Sequence, residues 1–159
     1  MRDLDVVRFA DRARSVSVVL EDAAGGGRHD GRHEAEIVIE TGFVSARLPV
    51  HFTDADLADL IAFLSARAAA EEDGALPDGS VADWPAAGRS AYLRLRAADP
   101  FVVEVRDPVQ SGVTVSVPLD LRDGWATRAA SRLTRLRTAL ADGRRDHGRW
   151  DHSRRDHGR

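Results

Sequence analysis

Alternation of apolar and polar residues recurs along most of the chain, and this period of two is typical of half-buried β-strands. It predicts strands at residues 4–9, 16–20, 36–40, 44–52, 92–96, 101–106 and 113–121. Thr41-Gly42 separates two of these segments and predicts a tight hairpin turn. Residues 73–88 contain Pro77, Gly79, Pro85 and Gly88, which predicts a long loop.

In two segments the apolar residues recur instead at the spacing of an α-helix. The first begins at Thr53 or Asp54, either of which can cap a helix, and places Leu57, Leu60 and Leu64 on one stripe. The second opens at residues 123–125, and its apolar face comprises Trp125, Ala129, Leu133, Leu136 and Leu140. Both stripes are wide enough to pack a helix onto a sheet.

The order of these elements predicts the fold class. A run of strands precedes each helix, and Pro49 and Asp54 of the first run have counterparts in Pro118 and Asp123 of the second. We therefore expect an α+β domain with one antiparallel sheet of about six or seven strands. Two helices would pack on one face of that sheet in a two-layer arrangement.

The last residues differ from the rest in composition. Residues 1–142 contain every predicted strand and helix and are expected to form a single α+β domain. Residues 143–159 repeat Asp-His three times among arginines and contain few apolar side chains. Such a segment cannot bury a core, so we predict a disordered tail.

Charge is divided unequally between these two parts. All 23 basic residues are arginine, and residues 144–159 hold six of them against three aspartates. The remainder carries 17 arginines against 23 acids, a net charge of −6. This excess of acids disfavours nucleic acid as a partner and favours a basic protein. Candidate contact residues are the acids at the start of the first helix, Asp54, Asp56 and Asp59.

Catalytic motifs are not found in the sequence. Cysteine is absent, no Gly-x-Ser-x-Gly elbow occurs, and no paired carboxylates lie in an apolar segment. We therefore expect neither an enzyme nor a cofactor. The cluster His29–Glu34 has metal-binding residue types, but it follows three glycines and is predicted to be a mobile loop that holds no metal. No apolar run resembles a signal peptide or membrane span, so we expect a cytoplasmic protein that binds no membrane.

Polar side chains alternate with the buried ones of the later strands. They are Tyr92, Arg94, Arg96, Glu104 and Arg106, and they are predicted to share one outward sheet face with Thr114 and Ser116. Cross-strand ion pairs on a solvated face are one interpretation. A partner-binding surface is the other, because exposed arginine and tyrosine are favoured contact residues.

Residues 35–137 resemble an uncharacterised family of small actinobacterial proteins, with the match carried by residues 35–48, 106–115 and 117–125. The order of elements over residues 43–136 is also similar to that of immunity proteins that neutralise WapA-type tRNA-cleaving toxins. Neither resemblance implies a site residue. The expectation is a non-catalytic protein-binding domain of unknown partner, an immunity protein against a basic toxin being one form of it. The alternative is a small-molecule-binding or regulatory domain with its pocket between sheet and helices.

Overall fold

The computed structural model describes residues 4–20, 31–75, 79–88 and 90–149, and shows an α+β protein with eight strands and two helices in those ranges. The first half comprises β1 Leu4–Ala10, β2 Ser15–Leu20, β3 Arg32–Glu40, β4 Ser45–Thr53 and α1 Asp54–Glu72. The second half comprises β5 Val81–Trp84, β6 Tyr92–Arg96, β7 Phe101–Asp107, β8 Val113–Leu119 and α2 Trp125–Arg149.

The strands form two four-stranded sheets, so the prediction of one sheet with six or seven strands was wrong. Sheet A has the order β1-β2-β3-β4, sheet B has the order β5-β6-β7-β8, and all neighbours are antiparallel. Alternation shows which residues share a face, but it does not show where a sheet ends. Strand β5 was missed because it has only four residues and lies between Gly79 and Pro85.

A helix follows each sheet, so a unit of four strands and one helix occurs twice, as the echo in the sequence suggested. Pro49 lies on β4 and Pro118 lies on β8, and each of these strands is the last of its sheet and an edge strand. Proline is tolerated there because its missing N–H can face away from the neighbouring strand. The hairpin between β3 and β4 spans Thr41–Val44 and is longer than the two-residue turn predicted.

Apolar residues from both halves contribute to one hydrophobic core. In sheet A, Val16 and Val18 lie opposite Ile39 and Ile37, and all four are buried. In sheet B the buried neighbours are Leu93, Leu95, Val103 and Val105, and the same core includes Leu57, Leu60, Leu64 and Leu133 of the helices. The predicted leucine stripes therefore contribute to the core that joins the two halves.

Helix α1 begins as predicted from its capping residues. Thr53 is the N-cap, its side-chain oxygen accepts a hydrogen bond from the Asp56 backbone N–H, and the Asp56 carboxylate accepts one from the Thr53 N–H. This reciprocal pair is a capping box. None of the described helices is long and apolar enough to span a bilayer.

Helix α2 continues to Arg149 and so includes the first seven residues of the segment predicted to be disordered. The rest of that segment, residues 150–159, lies outside the described residues, so the predicted disorder is untested there.

Asp11 joins the two halves at the β1–β2 turn. Its carboxylate accepts hydrogen bonds from the backbone N–H groups of Ala13, Arg14 and Asp120, and from the Arg14 guanidinium at 2.8 Å. Burial raises the pKa of this carboxyl, but the hydrogen bonds outweigh that effect and lower the pKa to about 2. Asp120 follows β8, so this carboxylate connects a turn of sheet A to the end of sheet B.

Replacing Asp11 with asparagine is expected to lower the free energy of unfolding by about 1–2 kcal/mol at pH 7. The folded-state pKa of about 2 lies below the unfolded value, so the carboxylate stabilises the fold above about pH 4. That stabilisation is lost as the pH falls from about 4 to about 2. Urea unfolding at several pH values measures it, with Asp59→Asn as the exposed control. A difference between wild type and Asp11→Asn that stayed constant down to about pH 2 contradicts this account.

Candidate functional site

The outer face of sheet B carries the polar side chains that the sequence placed there. Strand register puts Arg94 opposite Asp83 on one side and Glu104 on the other, while Tyr92 lies opposite Arg106. On the edge strand β8, Ser116 lies opposite Glu104 and Thr114 lies opposite Arg106, and both residues are exposed. All seven predicted residues therefore share this face, with Asp83 of β5 as an additional member.

Ion pairs hold the three arginines of this face in place. Arg94 makes a two-point contact with Asp83, at 2.7 Å from Nε and 2.8 Å from Nη2. One carboxylate oxygen of Glu104 lies 2.8 Å from the Arg96 guanidinium, and the other lies 2.6 Å from the Arg106 guanidinium. The hydrogen bond from Arg106 lowers the pKa of Glu104 despite its burial, and the one from Arg94 lowers the pKa of Asp83. These carboxylates remain ionised in any neutral buffer.

The three acids proposed at the start of α1 do not form one acidic surface. Asp56 is buried, and its carboxylate is engaged in the helix cap. Asp54 is half-buried, with its Oδ1 2.8 Å from Nε2 of His33. Asp59 is exposed and has no hydrogen-bond or ion-pair partner among the described residues. Asp56 therefore cannot be an exposed contact residue, since the fold uses it internally.

His33 belongs to strand β3, where the sequence had predicted a mobile loop. Its side chain is buried and stacks on Phe52, with ring centroids 5.0 Å apart. The cross-strand partner Phe52 explains the difference, because pairing with β4 orders residues 32–34 after the glycine-rich segment. His29 and Asp30 lie outside the described residues. Among the residues that are described, no group of three or more His, Asp or Glu side chains could hold a metal ion.

Arg67 of α1 is a residue that the sequence interpretation overlooked. Its guanidinium carbon lies 5.6 Å from the centroid of the Phe101 ring, a cation–π distance. Its Nε and Nη1 are buried and have no hydrogen-bond partner in the part of the chain that the structure describes. The signal was its spacing: position 67 follows Leu57, Leu60 and Leu64 on the buried stripe of the helix.

A cavity of about 190 Å³ lies beside Arg67, between α1, the ends of sheet B and the start of α2. Its lining residues are Arg67, Ala98, Asp99, Pro100, Phe101, Leu119, Asp120, Leu121 and Trp125. Phe101 and Trp125 form an aromatic wall with their ring centroids 4.8 Å apart. Phe9 supports both rings from behind, at 5.9 Å from Phe101 and 5.7 Å from Trp125.

A second, arginine-lined groove of about 250 Å³ adjoins this cavity along Leu121 and Trp125. It lies between β1 and α2, and Val6, Val7, Ala10 and Ala129 contribute apolar surface to it. Four exposed arginines also line it: Arg8, Arg122, Arg128 and Arg132. In contrast to the arginines of sheet B, none of the four forms an ion pair with an acid among the described residues. The groove is therefore a positive region on an otherwise acidic protein.

Comparison with known proteins identifies the family. A family of unknown function, DUF5959, matches residues 4–141, which is most of the chain. The chain belongs to the DUF5959 family. No significant match was found among curated proteins or among solved structures. The DUF5959 match extends from the first residue of β1 far into α2, so it includes the sheet B face, Arg67 and the arginine-lined groove. The expected membership of an uncharacterised family is confirmed.

Proposed function

We propose that this protein is a non-catalytic binding domain and that the outer face of sheet B contacts a protein partner. The observation that carries the proposal is the set of ion pairs that hold Arg94 against Asp83, and Arg96 and Arg106 against Glu104, on the outer face of sheet B. Arginine is enriched among the residues that dominate binding energy, whereas Tyr92 of the same face is only 8% exposed and offers little contact surface. Side chains already held in one geometry lose less conformational entropy when a partner docks.

The packing of the helices supports the same assignment. In the proposed arrangement both helices cover the inner faces of the sheets, because Leu64 and Leu133 share a core with Leu93 and Val103. Strand side chains alternate, so Arg94 and Glu104 point to the opposite side. The outer face of sheet B is then left for a partner, in a two-layer α+β domain.

The charge of the chain suggests what kind of protein the partner is. Residues 1–143 carry a net charge of −6, which favours association with a basic protein through long-range attraction. A basic toxin held inactive by this domain in the cytoplasm is the form of partnership we propose, in keeping with the resemblance to immunity proteins. We propose no nucleic-acid partner, since the same charge would repel phosphate groups.

A blocking substitution tests the surface and leaves all the residues of its ion pairs in the sequence. Thr114→Trp places a large side chain on the exposed edge of the sheet B face, and Ser45→Trp does the same on the edge strand of sheet A. After affinity capture from the source organism and identification by mass spectrometry, calorimetry with the purified partner measures both variants. We expect Thr114→Trp to weaken binding about tenfold or more and Ser45→Trp to change it less than about twofold.

Two results would contradict this proposal. Equal affinity of wild type and Thr114→Trp would show that the partner docks elsewhere. An affinity that stayed constant or rose with salt, or an acidic partner, would contradict the basic toxin, because attraction between opposite charges weakens as the Debye length shortens.

A second function, binding of a small molecule, is favoured by the cavity beside Arg67. This cavity lies between sheet B and the helices, and it combines an aromatic wall with unpartnered polar groups of Arg67. Binding pockets typically show this combination of apolar walls and a few directed polar groups. Native mass spectrometry of gently purified protein tests this function, with a stoichiometric mass increment as the expected result. Mass equal to that of the bare chain would contradict it.

A further inference from the structure

The cavity beside Arg67 contains an energetic conflict that points to its occupant. Nε and Nη1 of Arg67 are buried without a hydrogen-bond partner among the described residues, although the group is always positively charged. A buried charged donor that lacks an acceptor is destabilising, and the effect is larger than for a neutral group. Arg67 lines the cavity, so an acceptor oxygen bound there removes this penalty once the guanidinium turns these two nitrogens, which have almost no accessible surface, toward it.

The remaining walls indicate the shape of the ligand. The half-buried side chains of Trp125 and Leu121 offer apolar surface within a volume of about 190 Å³, beside the buried Phe101 and Leu119. This is below the roughly 300 Å³ at which pockets for drug-sized ligands begin. The ligand is therefore a small molecule with an apolar body, and a flat ring would lie well against the half-buried Trp125.

The charges around the cavity decide the sign of the ligand's polar group. Asp99 and Asp120 also line the cavity and oppose an anion, but Asp120 and Asp99 are exposed to solvent, which screens them. The Arg67 side chain lines the cavity, where the dielectric constant is lower than in bulk water and a charge acts more strongly. The adjoining groove adds four unpaired arginines, Arg8, Arg122, Arg128 and Arg132. The balance favours a single negative charge at Arg67.

We propose that this cavity binds a small carboxylate with an apolar body, whose oxygens accept hydrogen bonds from Nε and Nη1 of Arg67. This inference rests on the second function proposed above and names its ligand class. A carboxylate fits better than a phosphate, which carries up to two charges and three acceptor oxygens. Arg67 is the only cationic side chain lining the cavity among the described residues, and two acids stand nearby.

Benzoate is the probe, benzamide is its neutral counterpart of the same shape, and inorganic phosphate tests the other anion class. Thermal unfolding and the indole N–H resonances of the protein report binding. We expect benzoate to raise the melting temperature and to shift the Trp125 indole resonance, with no change at buried Trp84, while benzamide and phosphate do neither. The spectrum of Trp125→Phe assigns the resonance.

Arg67→Met separates a binding role from a structural one, because methionine keeps an unbranched apolar chain beside Phe101 and removes the charge. We expect this variant to bind benzoate at least about tenfold more weakly. Without ligand it should melt ~2–4 °C above wild type, since two buried N–H groups without an acceptor have been removed. Arg137→Met, on an exposed position of α2, is the matched control and should change neither property.

The possible outcomes distinguish the ligand class from the function. A lower melting temperature in Arg67→Met together with unchanged benzoate binding would overturn the proposal, and so would equal binding of phosphate and benzoate. If no probe binds wild type but native mass spectrometry shows a bound molecule, small-molecule binding stands and the carboxylate is wrong. If neither is observed, both are wrong.

Discussion

Replacing Trp84 with alanine is expected to lower the free energy of unfolding by about 3–5 kcal/mol. The side chain is only 2% exposed, although it belongs to the short edge strand β5. Its indole Nε1–H donates to the backbone oxygen of Asp56 in α1 at 2.6 Å, and its ring lies 5.4 Å from that of Phe52 in β4. One side chain of sheet B is thus packed against both a strand and the helix of the first half.

Trp84→Phe separates the stabilisation due to ring packing from the stabilisation due to the indole hydrogen bond. Phenylalanine keeps a ring against Phe52 but has no N–H, so the acceptor oxygen of Asp56 loses its bond from the indole. We expect a loss of about 1–2 kcal/mol for this variant. Urea unfolding monitored by circular dichroism measures both substitutions. If Trp84→Ala were less destabilising than about 1 kcal/mol, β5 would be a peripheral strand, and the contact between the halves would depend on other residues.

The alternation pattern was most informative in sheet B. Alternate residues of β6 and β7 face opposite sides, so the positions of Arg94, Glu104 and Arg106 on one outer face followed from the period of two. The ion pairs among them did not follow, because they depend on register, and register is set by which strands pair. Pairing brings Asp83 beside Arg94, and the strand that carries Asp83 was itself missed.

Long-range contacts account for most of the other differences. His33 follows a glycine-rich segment and was assigned to a loop, but its packing against Phe52 and Asp54 depends on residues about 20 positions away. Arg67 contacts Phe101, which is still more distant in sequence. Neither contact can be predicted from the residues that neighbour His33 or Arg67 in the sequence. A charged residue at a buried position of a helical stripe is the one local sign that could have marked Arg67.

Net charge alone also gave an incomplete view of the surface. The acidic excess of residues 1–143 suggests a basic partner, yet the arginines fall into two classes in the structure. Those of sheet B are paired with carboxylates, whereas the four of the groove beside α2 have no acidic partner among the described residues. The arginines of the two regions therefore differ in their electrostatic surroundings, and the protein partner and the carboxylate are proposed at different sites.

Replacing Asp56 with alanine is expected to lower the free energy of unfolding by about 2–3 kcal/mol. The buried Asp56 carboxylate accepts hydrogen bonds from the Thr53 N–H at 2.7 Å, from the Thr53 hydroxyl at 2.8 Å and from the Ala86 N–H at 3.4 Å. Alanine has no carboxylate, so these three donors near the start of α1 lose their acceptor. Glutamate, which is common at this position of a capping box, should recover part of the loss.

Asp59→Ala is the control for Asp56→Ala, because Asp59 lies on the same helix but is exposed. It should change stability by no more than about 0.5 kcal/mol. Urea unfolding of both variants, followed by calorimetry with the identified partner, separates the structural role from a binding role. We expect the folded fraction of Asp56→Ala to bind the partner as tightly as wild type does, because the Asp56 carboxylate of the wild type is buried. Loss of binding with full stability would instead place Asp56 in the contact with the partner, as the sequence first suggested.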